Sequence, residues 1–130
     1  MLTSAISHID GHRLVHRGAD LAEIAPEGFE RLAERLWDEP DPPAVPWTVP
    51  PESIAVAGAA TAALPPGAPP ASRLAVAVAS LAAADAGRGD LRPEAIRAKA
   101  RIVLGTVATV APLVGADDRP ADHPGTVAAR

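Results

Sequence analysis

Apolar positions follow two different rhythms along this chain. Over residues 5 to 17, Ile6, Ile9, Leu14 and Val15 are bulky or β-branched, and Asp10-Gly11 separates them. Asp-Gly between such runs is a strong short-range hairpin signal, so two strands with a tight turn at Asp10-Gly11 are predicted. Arg17-Gly18 reads as a further chain turn in which glycine supplies a positive φ. Then the period changes. Asp20 is the natural N-cap of a short helix over 20–25, its carboxylate accepting from the first free N–H groups. Phe29, Leu32, Ala33, Leu36 and Trp37 recur at i, i+3, i+4, i+7 and i+8, which predicts one buried face of a helix over 28–38. Glu27 and Arg31 are spaced for an i,i+4 ion pair, and Pro40, Pro42 and Pro43 stop the helix.

Residues 40–51 read as a proline-broken connector holding Trp47, and PESIAVAGAATAAL predicts a helix over 51–64. Pro51 stands in its first turn, where Glu52 favours the positive end of the dipole. Residues 65–70 read as a linker stiffened toward polyproline II. Ser72 is the expected cap of a helix over 72–85 that is apolar nearly all round. Such a helix is buried on most sides, in a core or between subunits. After a loop at Ala86-Gly87-Arg88-Gly89, Asp90 starts the longest helix, 91–114, with Pro93 in its first turn. Its apolar stripe is Ile96, Ala100, Val103, Leu104, Val107, Val110, Ala111 and Val114; Arg97, Lys99 and Arg101 mark its polar side. It spans about 35 Å. Pro112 is expected to kink or end it, and residues 115–130 read as a loop and a frayed tail. No internal repeat at a period of 20–50 residues is visible.

The strings A-I-S-x-I-D-G from residue 5, L-V-H-R-G-A-D-L from residue 14 and F-E-R-L-A-E-R-L-W from residue 29 are in order. Together they resemble the opening of the citrate synthase family (citrate and 2-methylcitrate synthases). The resemblance is closest over 5–39 and looser over 72–114, where two helices look like the family's interface pair. It departs at the family's Leu-Pro pair midway along the long helix, where Thr106-Val107 stand here, and in the proline-rich connector over 40–70. The resemblance implies a mainly α, citrate synthase-like fold, as part of the large domain, with a small N-terminal β-hairpin. Its divisions would be 5–39, the hairpin and first helices; 40–70, connector and helix; 72–114, two interface-type helices; and 115–130, a tail.

By that resemblance the function is acyltransfer, condensing acetyl-CoA or propionyl-CoA with oxaloacetate. The family's two histidines, aspartate and carboxylate-binding arginines lie downstream of the region this chain resembles, so no catalytic residue carries over. The chain is therefore expected to represent the N-terminal part of such an enzyme and to be inactive alone. The alternative is a non-catalytic helical interaction or dimerisation module derived from the family. The expected partner is a second copy or the missing C-terminal portion, through helices 72–85 and 91–114. No cofactor is expected to be bound covalently, and binding of the family substrate acetyl-CoA by this chain alone is not expected.

Composition narrows the picture further. At 130 residues one domain is expected, burying about two-thirds of the unfolded chain's surface. Apolar residues make up 48% but aromatics only 2%, and alanine buries little area per residue. Net charge is −4 and Lys99 is the only lysine, which argues against a nucleic-acid face. The absence of cysteine excludes disulfides and thiolate metal sites and fits a cytoplasmic protein. Met1-Leu2-Thr3-Ser4 has no positive n-region, so no signal peptide is predicted. The apolar run 74–84 falls short of the ~20 residues a bilayer span needs, so a soluble chain is expected.

Local candidates for chemistry are few. His8, His12 and His16 are spaced by four and on a helix would stack three imidazoles for zinc. A hairpin separates them, so they read as exposed strand and turn histidines. Asp117, Asp118, Asp122 and His123 suggest a metal cluster but read better as a solvated acidic loop. Ser4, Ser7, Ser53, Ser72 and Ser80 lack a G-x-S-x-G setting. Gly87-x-Gly89 follows a helix, not a strand, and is too short for a dinucleotide fingerprint. Trp37 and Trp47 read as packing residues, and Arg17-Gly18 as a turn without a substrate role. No catalytic, cofactor-binding or metal residue is predicted.

Overall fold

The computed structural model describes Ser4, residues 6–37 and residues 46–110. The fold is mainly helical, with a small antiparallel sheet near the N-terminus. The chain divides into two compact units, residues 1–46 and 47–130, within the proline-rich connector.

In the N-terminal unit, strands β1 (Ser7–Asp10) and β2 (Arg13–His16) pair antiparallel, with Ser7 opposite His16 and Asp10 opposite Arg13. The predicted hairpin is present, but its loop is Gly11-His12 rather than Asp10-Gly11. Gly11 has φ +61 while His12 stays at negative φ, the pattern of a II′ turn with glycine first. Asp10 instead closes the ladder and bridges Arg13 at 3.1 Å. A third strand, β3 (Ala19–Asp20), pairs with β2 and carries no periodic signal, being two residues long. The turn into it uses positive φ at both Arg17 (48°) and Gly18 (84°). A left-handed conformation costs a non-glycine residue roughly 1–2 kcal/mol. The Arg17 guanidinium, donating to the Leu36 carbonyl at 3.2 and 3.4 Å, helps hold it there.

Helix α1 (Leu21–Ile24) starts as expected: the Asp20 carboxylate accepts from Ala22 N–H at 3.0 Å. A 3-10 turn, Ala25–Glu27, follows, then Gly28, whose φ of 88° and ψ of 164° lie in a region essentially reserved for glycine. That residue aims the chain into α2 (Phe29–Leu36). The expected Glu27–Arg31 pair is present at 3.5 Å, and Arg35 joins it, donating to both Glu27 oxygens at 2.8 and 3.1 Å.

The buried face of α2 differs from the apolar stripe. Phe29 is 42% exposed, whereas Glu30 and Glu34 are the buried residues, at 7% and 6%. Leu32, Ala33, Leu36 and Trp37 are half-buried. Neither glutamate is without a partner, and partnered charges tolerate burial that unpaired ones do not. An apolar stripe sets a helix's orientation only where such charges do not outweigh it.

The C-terminal unit packs α3 (Pro51–Ala62), α4 (Pro70–Ala84) and α5 (Pro93–Val110) around Ala57, Ala77 and Leu81. Val103, Val107 and Val110 of α5 lie against that cluster, and Trp47 is buried, as a packing residue should be. Alanine at the contacts lets the helices approach closely but buries little apolar area. The junction between α3 and α4 differs from expectation. Pro69-Pro70 belongs to the start of α4, not a stiff linker, because the fixed φ of proline suits the first helical turn. Only a short turn, closed by Ala68 N–H donating to Pro65 O at 3.1 Å, joins α3 to α4. Ser72 is therefore inside the helix and does not cap it; its N–H donates to Pro69 O. On α5, Ile96 is 49% exposed, while Gly105 and Thr106 are buried.

Among the described residues helix α4 is not buried on most sides: Ala77 and Leu81 are buried, while Leu74 and Val78 are exposed. The prolines at 40, 42 and 43, the end of α2 at 38, residues 111–114 with Pro112, and Asp117, Asp118, Asp122 and His123 lie outside the described residues.

Candidate functional site

Part of the apolar surface left by this packing lines a groove. Val56 of α3, Val78 and Leu81 of α4, and Ile96 and Val103 of α5 line a cavity of about 610 Å³, with Leu91 of the α4–α5 loop beside them. Val56, Val78, Leu91 and Ile96 are all exposed. The α3 helix supplies the groove because Ala57 and Thr61 turn inward and leave Val56 on the outer side. Thr61 is buried without penalty, since its hydroxyl donates to Ala57 O at 2.8 Å. Charged residues ring the groove: Glu52, Asp85 and Asp90 on one sign, Arg88 and Lys99 on the other.

The loop carrying Leu91 is built by local hydrogen bonds. Asp85, which caps the C-terminal end of α4, accepts Gly87 N–H at 2.8 Å and the Lys99 ammonium at 2.9 Å. Lys99 also donates to Gly87 O, the carbonyl that accepts Asp90 N–H at 2.8 Å. Beyond Leu91 the Asp90 carboxylate accepts Arg92 N–H at 3.1 Å and the Arg92 guanidinium at 2.6 Å. The hydrogen bond from Lys99 holds the Asp85 carboxyl below its ordinary range, helped by Gly87 N–H and opposed by desolvation. Arg92 does the same for Asp90, whose carboxylate in turn raises the guanidinium.

The groove has apolar walls, and its two acidic loop residues are each engaged by a cation. What it can do is bury apolar surface.

The residues considered from sequence fall elsewhere. His8 pairs with Val15 and His16 with Ser7, which places the two histidines on opposite faces of the sheet, with His12 in the turn. Among the described residues no group of three His, Cys, Asp or Glu side chains could hold a metal ion. Gly87 and Gly89 sit in the α4–α5 loop, and Arg17 serves its turn. Among the described residues no helix is long and apolar enough to cross a membrane. The role of Lys99 is the main residue missed. Its helical position marks it only as polar, and its reach to Asp85 depends on how α4 and α5 pack. The Asp-x-Gly at 85–87 was the available signal, as a carboxylate there can close a turn onto the amide two residues on.

Comparison with known proteins gives no family to which the chain can be assigned: no protein-family model, curated protein or solved structure matches it.

Proposed function

We propose that this chain is a non-catalytic helical self-association module, in which a second copy covers the groove between α3, α4 and α5. The exposed apolar lining of that groove carries the reading. Val56, Val78, Leu91 and Ile96 share one concavity, and contiguous exposed apolar surface rimmed by charge marks an interaction site. Two features favour a copy of the same chain as occupant. The rim carries both signs, so it complements itself, and the apolar loop residue and the groove lie on one face, as a two-fold contact requires. The cysteine-free sequence supports a cytoplasmic setting.

Light scattering after size exclusion tests this. A mass approaching twice the 13.2 kDa of one chain, rising with concentration, is expected. A clean monomer up to millimolar concentration would refute it. The resemblance over residues 5–39 brings no catalytic residue into this chain, so thiol release from acetyl-CoA with oxaloacetate is expected to stay at background. Clear turnover would overturn the non-catalytic reading.

A further inference from the structure

We infer that Leu91 is the anchor of a reciprocal contact, each copy inserting its Leu91 into the groove of the other. This rests on the self-association reading and adds to it an orientation and a pair of charges. Leu91 is 75% exposed, far more than the other aliphatic residues lining the groove. The Asp85–Gly87–Lys99 contacts fix the chain before it, and the Asp90–Arg92 contacts fix it on both sides. A large apolar side chain is thus held in water on a preformed support. Ordering costs that binding usually incurs have already been met in the fold.

A few side chains that fill a partner's well-packed, desolvated pocket carry most of the binding energy in such contacts. A two-fold axis converts one knob and one groove on the same face into two equivalent insertions.

Charge sets the register. Glu52, in the first turn of α3, and Arg88, three residues before Leu91, both line the groove and are both exposed. Neither enters a salt bridge among the described residues. An Arg88 carried in beside Leu91 meets Glu52 of the other copy. Both pairs form at once in the reciprocal arrangement, and salt weakens them.

The absence of cysteine makes a clean test possible. Leu91→Cys and Val78→Cys chains, distinguished by a tag, are mixed and oxidised. A mixed covalent dimer is expected in good yield, while Val78→Cys alone gives little. In parallel, Leu91→Asp is expected to weaken the dimer at least tenfold by sedimentation, with helical circular dichroism unchanged because the side chain is exposed. Arg88→Glu and Glu52→Lys should each weaken it several-fold, and the two together should restore it. A dimer whose dissociation constant ignores Leu91→Asp, or that gives no mixed cross-link, overturns the anchor and leaves self-association standing. A wild-type chain that stays monomeric removes both. A dimer whose groove takes up a small apolar probe such as a naphthalene dye as readily as the monomer's does also overturns the proposal.

Discussion

The two units of this chain are held by different means. In residues 1–46 polar contacts fix the path: Asp20 caps α1, Glu27 gathers Arg31 and Arg35, and Arg17 reaches the Leu36 carbonyl. The buried residues of α2 are glutamates. In residues 47–110 the centre is Ala57, Ala77 and Leu81 with valines beside them, and ion pairs gather in the α4–α5 loop. Hydrogen bonds and charges are directional and specify geometry, whereas an alanine-rich contact specifies proximity and leaves apolar surface over. That surplus forms the groove. Each unit carries one tryptophan, Trp37 and Trp47, so single-tryptophan variants can report on the two separately.

The widest separation between the units should come from their centres. Leu81→Ala removes the largest side chain of the α3–α4–α5 cluster and is expected to cost about 2–4 kcal/mol. Urea unfolding followed by Trp47 fluorescence should show it as a lower midpoint. A loss under about 1 kcal/mol would mean that the alanine contacts hold without it. The matching test in the N-terminal unit is Gly28→Ala. A Cβ there meets nothing within 4 Å, so the cost comes from backbone conformation alone and is expected to be about 1–3 kcal/mol. Trp37 should report it. Glu27→Gln comes next. Losing the charge that two partly buried arginines share should cost about 1–2 kcal/mol, again read at Trp37. A neutral outcome would place the weight of this unit on its apolar contacts instead.

Legibility followed the same division. Hairpin, cap and ion-pair signals located β1, β2, α1 and α2, because each depends on residues a few positions apart. The face α2 buries was not legible, since Glu30 and Glu34 are partnered charges that an apolar pattern assigns to the exposed side. β3 was lost because two residues cannot show alternation. In the second unit helix existence was legible from apolar runs and from Pro51 and Pro93. The start of α4 was misplaced because Pro69-Pro70 suits both polyproline II and a first helical turn. The groove itself was half legible. An α4 apolar nearly all round announced a face needing cover, but the positions of Leu91 and Lys99 depend on a loop closed by tertiary contacts.

A buried polar atom in the alanine-rich unit sharpens the contrast from the other side. Thr106 is fully buried, and its hydroxyl has no hydrogen-bond partner among the described residues. Thr61 and Thr109 on the neighbouring turns of this unit's helices donate to carbonyls four residues back, each at 2.8 Å. An unsatisfied buried hydroxyl costs about 1–3 kcal/mol, so Thr106→Val, similar in shape, is expected to stabilise the unit by about 1 kcal/mol. A raised urea midpoint at Trp47 would show that polar contacts add nothing at this position. A lowered one would mean the hydroxyl has a partner in solution.

The smallest effect concerns the place where the C-terminal unit uses charge. Lys99 and Arg92 hold the Asp85 and Asp90 carboxyls below their ordinary values. A depressed folded pKa contributes stability above the unfolded value and loses it as pH falls through the folded one. The α4–α5 loop should therefore stay closed through neutral and mildly acidic pH and loosen only below the usual carboxylate range. Both carboxylates are solvent-accessible, so screening keeps the contribution small and salt reduces it further. Carboxyl-carbon shifts of Asp85 and Asp90 across an acid titration should move only below the usual carboxylate range. Lys99→Met should bring the Asp85 titration back toward the ordinary range while leaving Asp90 close to where Arg92 holds it. If the substitution moves neither residue, Lys99 does not clasp the loop, and Leu91 stands on a looser support than its hydrogen bonds describe.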